Sequence, residues 1–373
     1  MATLHETVRR LARNETPPPG DAAFDAAAAA DLLLLYVYHA RRLSDPPQAL
    51  ADTEEISRAA QLRSMENKRV LFVIKRALDG AAVRWIVVKG PVIAARFYPA
   101  EWTRQYNDID IVVHPDDLGI ALDALVSAGI TMLDQNWEMI ARKRQGEISL
   151  LCSSALIDLH WHFYSSPSIR RRCHVDMRAI IDRRHNMSAA GLSVPIMDDL
   201  DGLVFLATHA ILSGGHKARW MVDFAFAYAS IDPEPARLFE RARSHDAALQ
   251  LAVMVQRVEG SLEVDLCRAE EFLTLSEKLW LAACWMTGRL APVENELAGT
   301  LSGRAVLSAT RDRFWSSLTA AARNVLEADR TRRGRRSGRE ADLAALHSPG
   351  GSSADRELWL RTAVAEGGGP VPG

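Results

Sequence analysis

The chain has 373 residues, of which 48% are hydrophobic and 25% charged, with a formal net charge of -2 at pH 7. That length exceeds one small domain and calls for two or three packed units with a sizeable core. The near-neutral balance excludes a global field that would draw the chain to nucleic acid or an anionic membrane.

No apolar stretch is long enough to span a bilayer, and the first twenty residues, with Glu6, Arg9, Arg10 and Arg13, lack a secretory apolar core. A cytoplasmic location without a membrane partner is expected. The four cysteines, Cys152, Cys173, Cys267 and Cys284, are scattered and lack the spacing of a zinc site or a disulfide framework.

Residues 1–20 close on Thr-Pro-Pro-Pro-Gly and read as a loose lead-in. Asp21 to Leu43 reads as an Ala- and Leu-rich helix, which Asp45-Pro46-Pro47 breaks. Asp52 to Leu78 carries a longer helical pattern, with Ile56, Leu62, Val70, Ile74 and Leu78 among its apolar positions, and Asp79-Gly80 stops it. The β-branched run Trp85–Val88 reads as a buried strand. Lys89-Gly90-Pro91 then turns the chain into a short helix ending at Phe97. After a loop, Asp108–Val113 is a second strand, and His114-Pro115-Asp116-Asp117 opens a helix whose proline and acids suit a first turn.

Further strands are expected around Ile130–Leu133, Trp137–Arg142 and Glu147–Leu151, followed by the alternating strand Leu156–Phe163. From Pro167 the pattern turns helical, with helices expected at Asp198–Ser213, Arg219–Ser230, Pro235–Val258, Leu275–Leu290 and Arg311–Glu327. These elements predict an α+β chain: a helical segment over 1–80, a core with a small mixed sheet over 81–165, a helical domain over 166–328, and a flexible tail over 329–373 with a short helix near Leu358. The arginine-rich run 330–339 reads as a solvated stretch or a phosphate contact.

The chemistry sits on the strands. Residues two apart on a strand share a face, so Asp108 and Asp110 project together while Ile109 and Ile111 pack behind them. Two adjacent carboxylates repel unless a cation lies between them. Asp158, in the alternating strand, is an acid that an apolar setting makes costly without a partner. If its strand lies beside Asp108–Val113, three carboxylates face one another. Mg²⁺ (or Mn²⁺) takes such ligands together with substrate phosphates, and a pair of these ions can clamp an in-line displacement at phosphorus.

With these residues in view, Trp85–Phe163 resembles the nucleotidyltransferase superfamily of the DNA polymerase β type. Within it, the chain is most similar to the bacterial uncharacterised nucleotidyltransferase family. The likeness rests on Lys89-Gly90, Arg104, Asp108-Ile109-Asp110 and Asp158-Leu159-His160-Trp161, with His209 and Trp220-Met221-Val222-Asp223 matching its helical second half. The resemblance implies that Asp108, Asp110 and Asp158 bind metal and that Gly90 lets backbone amides approach nucleotide phosphates. It also implies transfer of a nucleoside monophosphate from a nucleoside triphosphate to a hydroxyl acceptor, a small molecule or peptide before an RNA. Pro91 departs from the pattern, because it offers neither an N–H nor a hydroxyl where a small residue is usual.

Other roles stay open. Lys89 is either a phosphate contact or an exposed strand end, and Arg104 either a bidentate phosphate clamp or a salt-bridge partner of a nearby acid. His160 either orients a metal ligand or is a satisfied core histidine. His209 and Asp223 either contact substrate or form a packing cluster with Lys217 and Arg219. The same acids would also serve phosphoryl or sugar-phosphate transfer, or persist in a catalytically degenerate binding or scaffold module.

Overall fold

The computed structural model describes residues 2–41, 43, 50, 53–170, 173–189, 191–215, 217–286, 306–311, 313–332 and 342–368. The chain divides into two compact units, each assembled from separated stretches. One comprises Met1–Leu62, Phe97–Gln105 and Asp199–Arg330, and the other Arg63–Arg96, Tyr106–Asp198 and Thr331–Gly373.

The second unit is built on a seven-stranded mixed sheet. Its strands are β1 (Trp85–Val88), β2 (Asp108–Val113), β3 (Thr131–Met132), β4 (Glu147–Cys152), β5 (Ala155–His160), β6 (His185–Ala189) and β7 (Leu192–Ile196). They lie in the order β3-β4-β5-β2-β1-β7-β6. β2 runs parallel to β5 and β1 parallel to β7, and the other neighbours are antiparallel.

Alternation fixes the two faces of this sheet. Trp85 and Val87, Ile109, Ile111 and Val113, Ile148 and Leu150, and Ile157 and Leu159 all enter one buried cluster. The long helix α4 (Thr53–Gly80) supplies Val70, Leu71, Ile74 and Leu78 to it at helical spacing, and α6 (Leu118–Ser127) supplies Leu118, Leu122 and Leu125. Each such side chain contributes roughly 1.5–3 kcal/mol by leaving water. The polar residues of the same strands are thereby left to the opposite face.

The other unit is helical: α1 (Ala2–Ala12), α2 (Asp21–Ala29), α3 (Leu33–Ala40), α10 (Asp199–Leu212), α11 (Ala218–Ile231), α12 (Pro235–Ser244), α13 (Ala248–Leu262), α14 (Leu275–Met286) and α15 (Phe314–Arg332). Two of the expected helices are each split. The breaks fall at Asp31 (φ 63°) and Asp246 (φ 52°), a residue type whose short polar side chain tolerates the left-handed region.

Other expectations are corrected in the sheet unit. Trp137–Arg142 is not a strand but part of helix α7 (Trp137–Lys143), because Asn136 caps its N-terminus by accepting from Met139 N at 3.0 Å. The stretch after Pro167 is mostly helical, as read, but two strands within it were not expected. Besides α8 (Pro167–Arg170) and α9 (Met177–Asp182) it holds the β6–β7 hairpin, with Gly191 at φ +78° in its turn. α4 is shared between the units, with its residues from Arg63 on belonging to the sheet.

Within the expected flexible tail, the short helix read near Leu358 is α16 (Ser353–Glu366), and residues 342–368 are not loose: they bury Leu346, Trp359 and Ala363 in the sheet's own core. A capping box between Ser352 and Asp355 starts that helix. The centre of the arginine-rich run, 333–341, lies outside the described residues. Among the described residues no helix is long and apolar enough to cross a membrane.

Candidate active site

The parallel register of β2 and β5 sets Asp110 directly opposite Asp158, Asp108 opposite Leu156 and Val112 opposite His160. β4 completes the face from the other side, with Ser149 opposite Asp158 and Glu147 opposite His160. One polar patch therefore gathers Asp108, Asp110, Asp158, His160, Glu147 and Ser149. Donor atoms of Asp110, Asp158 and His160 all lie within 4.8 Å of one another, an arrangement able to hold a metal ion. Asp108 stands one alternation back along β2, on the same face.

Asp110, 3% exposed, is the hub. Its Oδ1 accepts from Lys89 Nζ at 2.9 Å and lies 3.1 Å from His160 Nε2. The other ring nitrogen of His160 lies 3.0 Å from Glu147 Oε2. Asp158 Oδ1 accepts from Ser149 Oγ at 3.0 Å.

The charges follow from these contacts. Burial resists ionising Asp110, but Lys89 and His160 outweigh it and hold the carboxyl well below its usual range. Burial likewise opposes a charge on His160, yet its bonds to Asp110 and Glu147 raise it to about 9. Asp158 is pushed up to about 6, chiefly by burial, with Glu147, Asp110 and Asp108 adding repulsion that His160 only partly offsets. Asp108 is raised as well, by burial and then by Asp110. The patch thus carries more carboxylate than its own cations compensate.

The turn after β1 is the other notable piece. Lys89 adopts φ 51°, a left-handed conformation uncommon for a residue with a side chain and frequent where function constrains the backbone. Helix α5 (Gly90–Phe97) starts there, and Lys89 O accepts from Ile93 N at 2.8 Å. Gly90 is buried, and a Cβ on it would lie 2.7 Å from Tyr106 Cγ. The missing side chain at Gly90 therefore makes room for the Tyr106 ring. Gly90→Ala should cost roughly 1–3 kcal/mol through overpacking, and adding Tyr106→Ala should return part of it. Urea unfolding of the two variants checks this, and an equal loss in both would show that the backbone, not Tyr106, demands glycine.

Arg104, His209 and Asp223 belong to the helical unit. Arg104 Nε and Nη2 donate to Asp223 Oδ1 and Oδ2 at 2.8 and 2.7 Å, and Tyr98 Oη donates to Asp223 Oδ1 at 2.8 Å. Arg104 and Asp223 are 7% and 2% exposed, so the pair is a buried bidentate lock. The His209 ring lies 5.5 Å from that of Trp220, over which Lys217 also sits at 5.2 Å. His162 is a core histidine: its Nδ1 accepts from Tyr164 N at 3.0 Å, and burial, with Arg170 and His160 adding, lowers it to about 3.

Glu147 and Ser149 went unmarked in the sequence although the signal was present. They alternate with Ile148 and Leu150, whose burial sends their polar neighbours to the carboxylate face.

With the paired aspartates of β2 and β5 and the strand–Lys-Gly–helix turn in view, comparison with known proteins gives the class and the family. The family described as "Uncharacterised nucleotidyltransferase" matches residues 19–259, more than half of the 373-residue chain. The chain belongs to that family and is a transferase of nucleotidyl groups. No curated protein matches it significantly.

Proposed function

We propose that the sheet unit transfers a nucleoside monophosphate from a nucleoside triphosphate to an acceptor hydroxyl, with Asp108, Asp110 and Asp158 as the ligands of two Mg²⁺ ions. The observation that carries this reading is the register pairing Asp110 with Asp158 beside Asp108 on one face. The donor set fits the ion. Carboxylate oxygens suit a hard divalent cation; burial first, and then neighbouring carboxylates, raise Asp158 and Asp108, and a cation at that face would offset both. Bound there, the metals would neutralise charge developing on the phosphoryl oxygens.

The chain's own groups do the rest. His160 faces a carboxylate at each ring nitrogen, so it orients Asp110 rather than ligating metal itself. Ser149 aims Asp158 in the same way. Lys89, on a constrained backbone beside Asp110, is placed to meet a phosphate as a point charge. For Arg104 the salt-bridge reading is favoured over the phosphate clamp, because its Nε and Nη2 both donate to Asp223.

The net charge of -2 favours a small molecule or peptide over RNA as acceptor, since phosphate contacts dominate RNA affinity. The experiment is thermal unfolding with ATP, GTP, CTP and UTP, with and without Mg²⁺. A triphosphate at a hundred times its Kd stabilises by about 2.7 kcal/mol. The shift should need Mg²⁺, identify the base, and vanish in Asp110→Ala. No shift with any triphosphate at millimolar concentration would overturn the reading. Product mass then separates nucleotidyl from phosphoryl transfer.

A further inference from the structure

The family match ends at residue 259 and assigns nothing to residues 342–368. Yet that segment is bound into the sheet unit along its length. Gln135 N and Asn136 N both donate to Leu346 O, at 3.0 and 3.1 Å, and Trp137 N donates to Gly350 O at 2.7 Å. Asn136 Nδ2 donates to Ala345 O at 3.0 Å. Further along, Arg178 Nη2 donates to Val364 O at 2.8 Å and Met177 N to Gly367 O at 3.1 Å.

Two of its contacts lead to the carboxylate face, and both arrive through β4. Trp359 Nε1 donates to Gln145 O at 2.7 Å, and Trp161 Nε1 donates to the same carbonyl at 2.8 Å. Trp161 N also donates to Gly146 O at 3.0 Å. Trp161 directly follows His160, and Gln145-Gly146 directly precede Glu147. The shared carbonyl therefore ties together the two chain ends that carry the Glu147–His160 contact. Glu366 strengthens the tie: its Oε2 accepts from Arg170 Nε at 2.8 Å, and the Arg170 guanidinium lies 4.6 Å from the Trp161 ring centre.

The second route starts at His347, whose Nε2 is 3.4 Å from Asp134 Oδ1. Asp134 Oδ2 accepts from Ser149 N at 2.8 Å, and Ser149 Oγ donates to Asp158 Oδ1 at 3.0 Å. One route thus ends on the partner of Asp110 and the other on Asp158.

We propose that the segment 342–368 is a positioning element of the carboxylate site, fixing Asp110 through Trp359 and Asp158 through His347. The proposal rests on the reading of that site as a cation site. Groups that orient metal ligands from behind are worth about 10–100-fold in metal affinity.

The test uses the full-length chain. Trp359→Phe keeps a ring in the core and removes only the N–H donor, and His347→Ala removes the imidazole of a half-exposed residue. Two readouts are taken: the Kd for Mn²⁺ alone, by electron paramagnetic resonance, and the His160 ring ¹⁵N–¹H signals of metal-free protein, by NMR. Each variant should bind Mn²⁺ more weakly, by up to about tenfold. The His160 signals should move in Trp359→Phe and stay in place in His347→Ala, whose route bypasses that ring.

Unchanged Mn²⁺ affinity and unchanged ring signals in both variants would overturn the proposal, even if either melts earlier, because stability alone would then be the segment's contribution. A wild type that binds no Mn²⁺ would remove the cation-site reading. The ring signals would then decide the positioning by themselves: moved in Trp359→Phe upholds it, unmoved sinks it.

Discussion

Asp110→Asn should abolish turnover while leaving the fold in place. The amide is the same size as the carboxylate, and its oxygen still accepts from Lys89 Nζ, which now lies 2.9 Å from Asp110 Oδ1. What disappears is the charge at the centre of the patch, where donor atoms of Asp110, Asp158 and His160 lie within 4.8 Å of one another. Metal ions stabilise phosphoryl-transfer charge by several kcal/mol, and each 1.36 kcal/mol is tenfold in rate, so kcat should fall by at least about a thousandfold. Stability should change by less than about 2 kcal/mol, since the bonds become weaker rather than lost. Transfer of radiolabel from an α-labelled triphosphate, measured beside urea unfolding, separates the two effects. An Asp110→Asn enzyme that retained a tenth of the wild-type rate would place the chemistry elsewhere.

In the helical unit the largest effect is expected at Asp223. Its carboxylate holds Arg104 through two hydrogen bonds and Tyr98 through a third, with side-chain exposures of 6% and 3% for Arg104 and Asp223. Asp223→Ala removes the carboxylate that neutralises a buried guanidinium unable to lose its proton, and with it the acceptor of a phenol pushed well above its ordinary value chiefly by burial. Breaking one side of such a pair costs about 3–5 kcal/mol, mostly the penalty of the charge left behind. Removing the three together (Arg104→Met, Tyr98→Phe, Asp223→Leu) should recover part of that loss, because the buried charge then leaves along with its partner. Urea midpoints of the single and triple variants measure both quantities. A loss below about 1 kcal/mol in Asp223→Ala would mean that water reaches the pair.

The residues of the carboxylate face were legible wherever a polar side chain interrupts an apolar alternation, as at Asp108, Asp110 and Asp158. That β5 lies beside β2 was not legible, because parallel pairing joins strands with no turn between them. β7 carries Pro195, which argues against a central strand, yet it pairs along its length with β6 and meets β1 at Val87↔Ile196. α7 was misread for want of its cap: Asn136 is the helix signal, and Trp137–Arg142 alone supports either period. The Arg104–Asp223 lock spans 119 residues and leaves no local trace in either segment. Trp359 and Ala363, four apart, carried the one helical clue in a stretch whose Ser, Gly and Arg content pointed to disorder.

The sheet unit draws on three stretches of chain, and this bears on how it is made. The ribosome emits its seven strands by residue 196, but Leu346, Trp359 and Ala363, which belong to the same core, come only after the stretch Asp199–Arg330 of the other unit. At about 5–20 residues per second the sheet waits roughly ten to thirty seconds with part of its apolar face uncovered. A nascent chain stalled anywhere in that interval has all seven strands but lacks Trp359 and Ala363 of their core. Synthesis of α16 supplies those two side chains, so truncation ahead of α16 should make the chain more prone to aggregate.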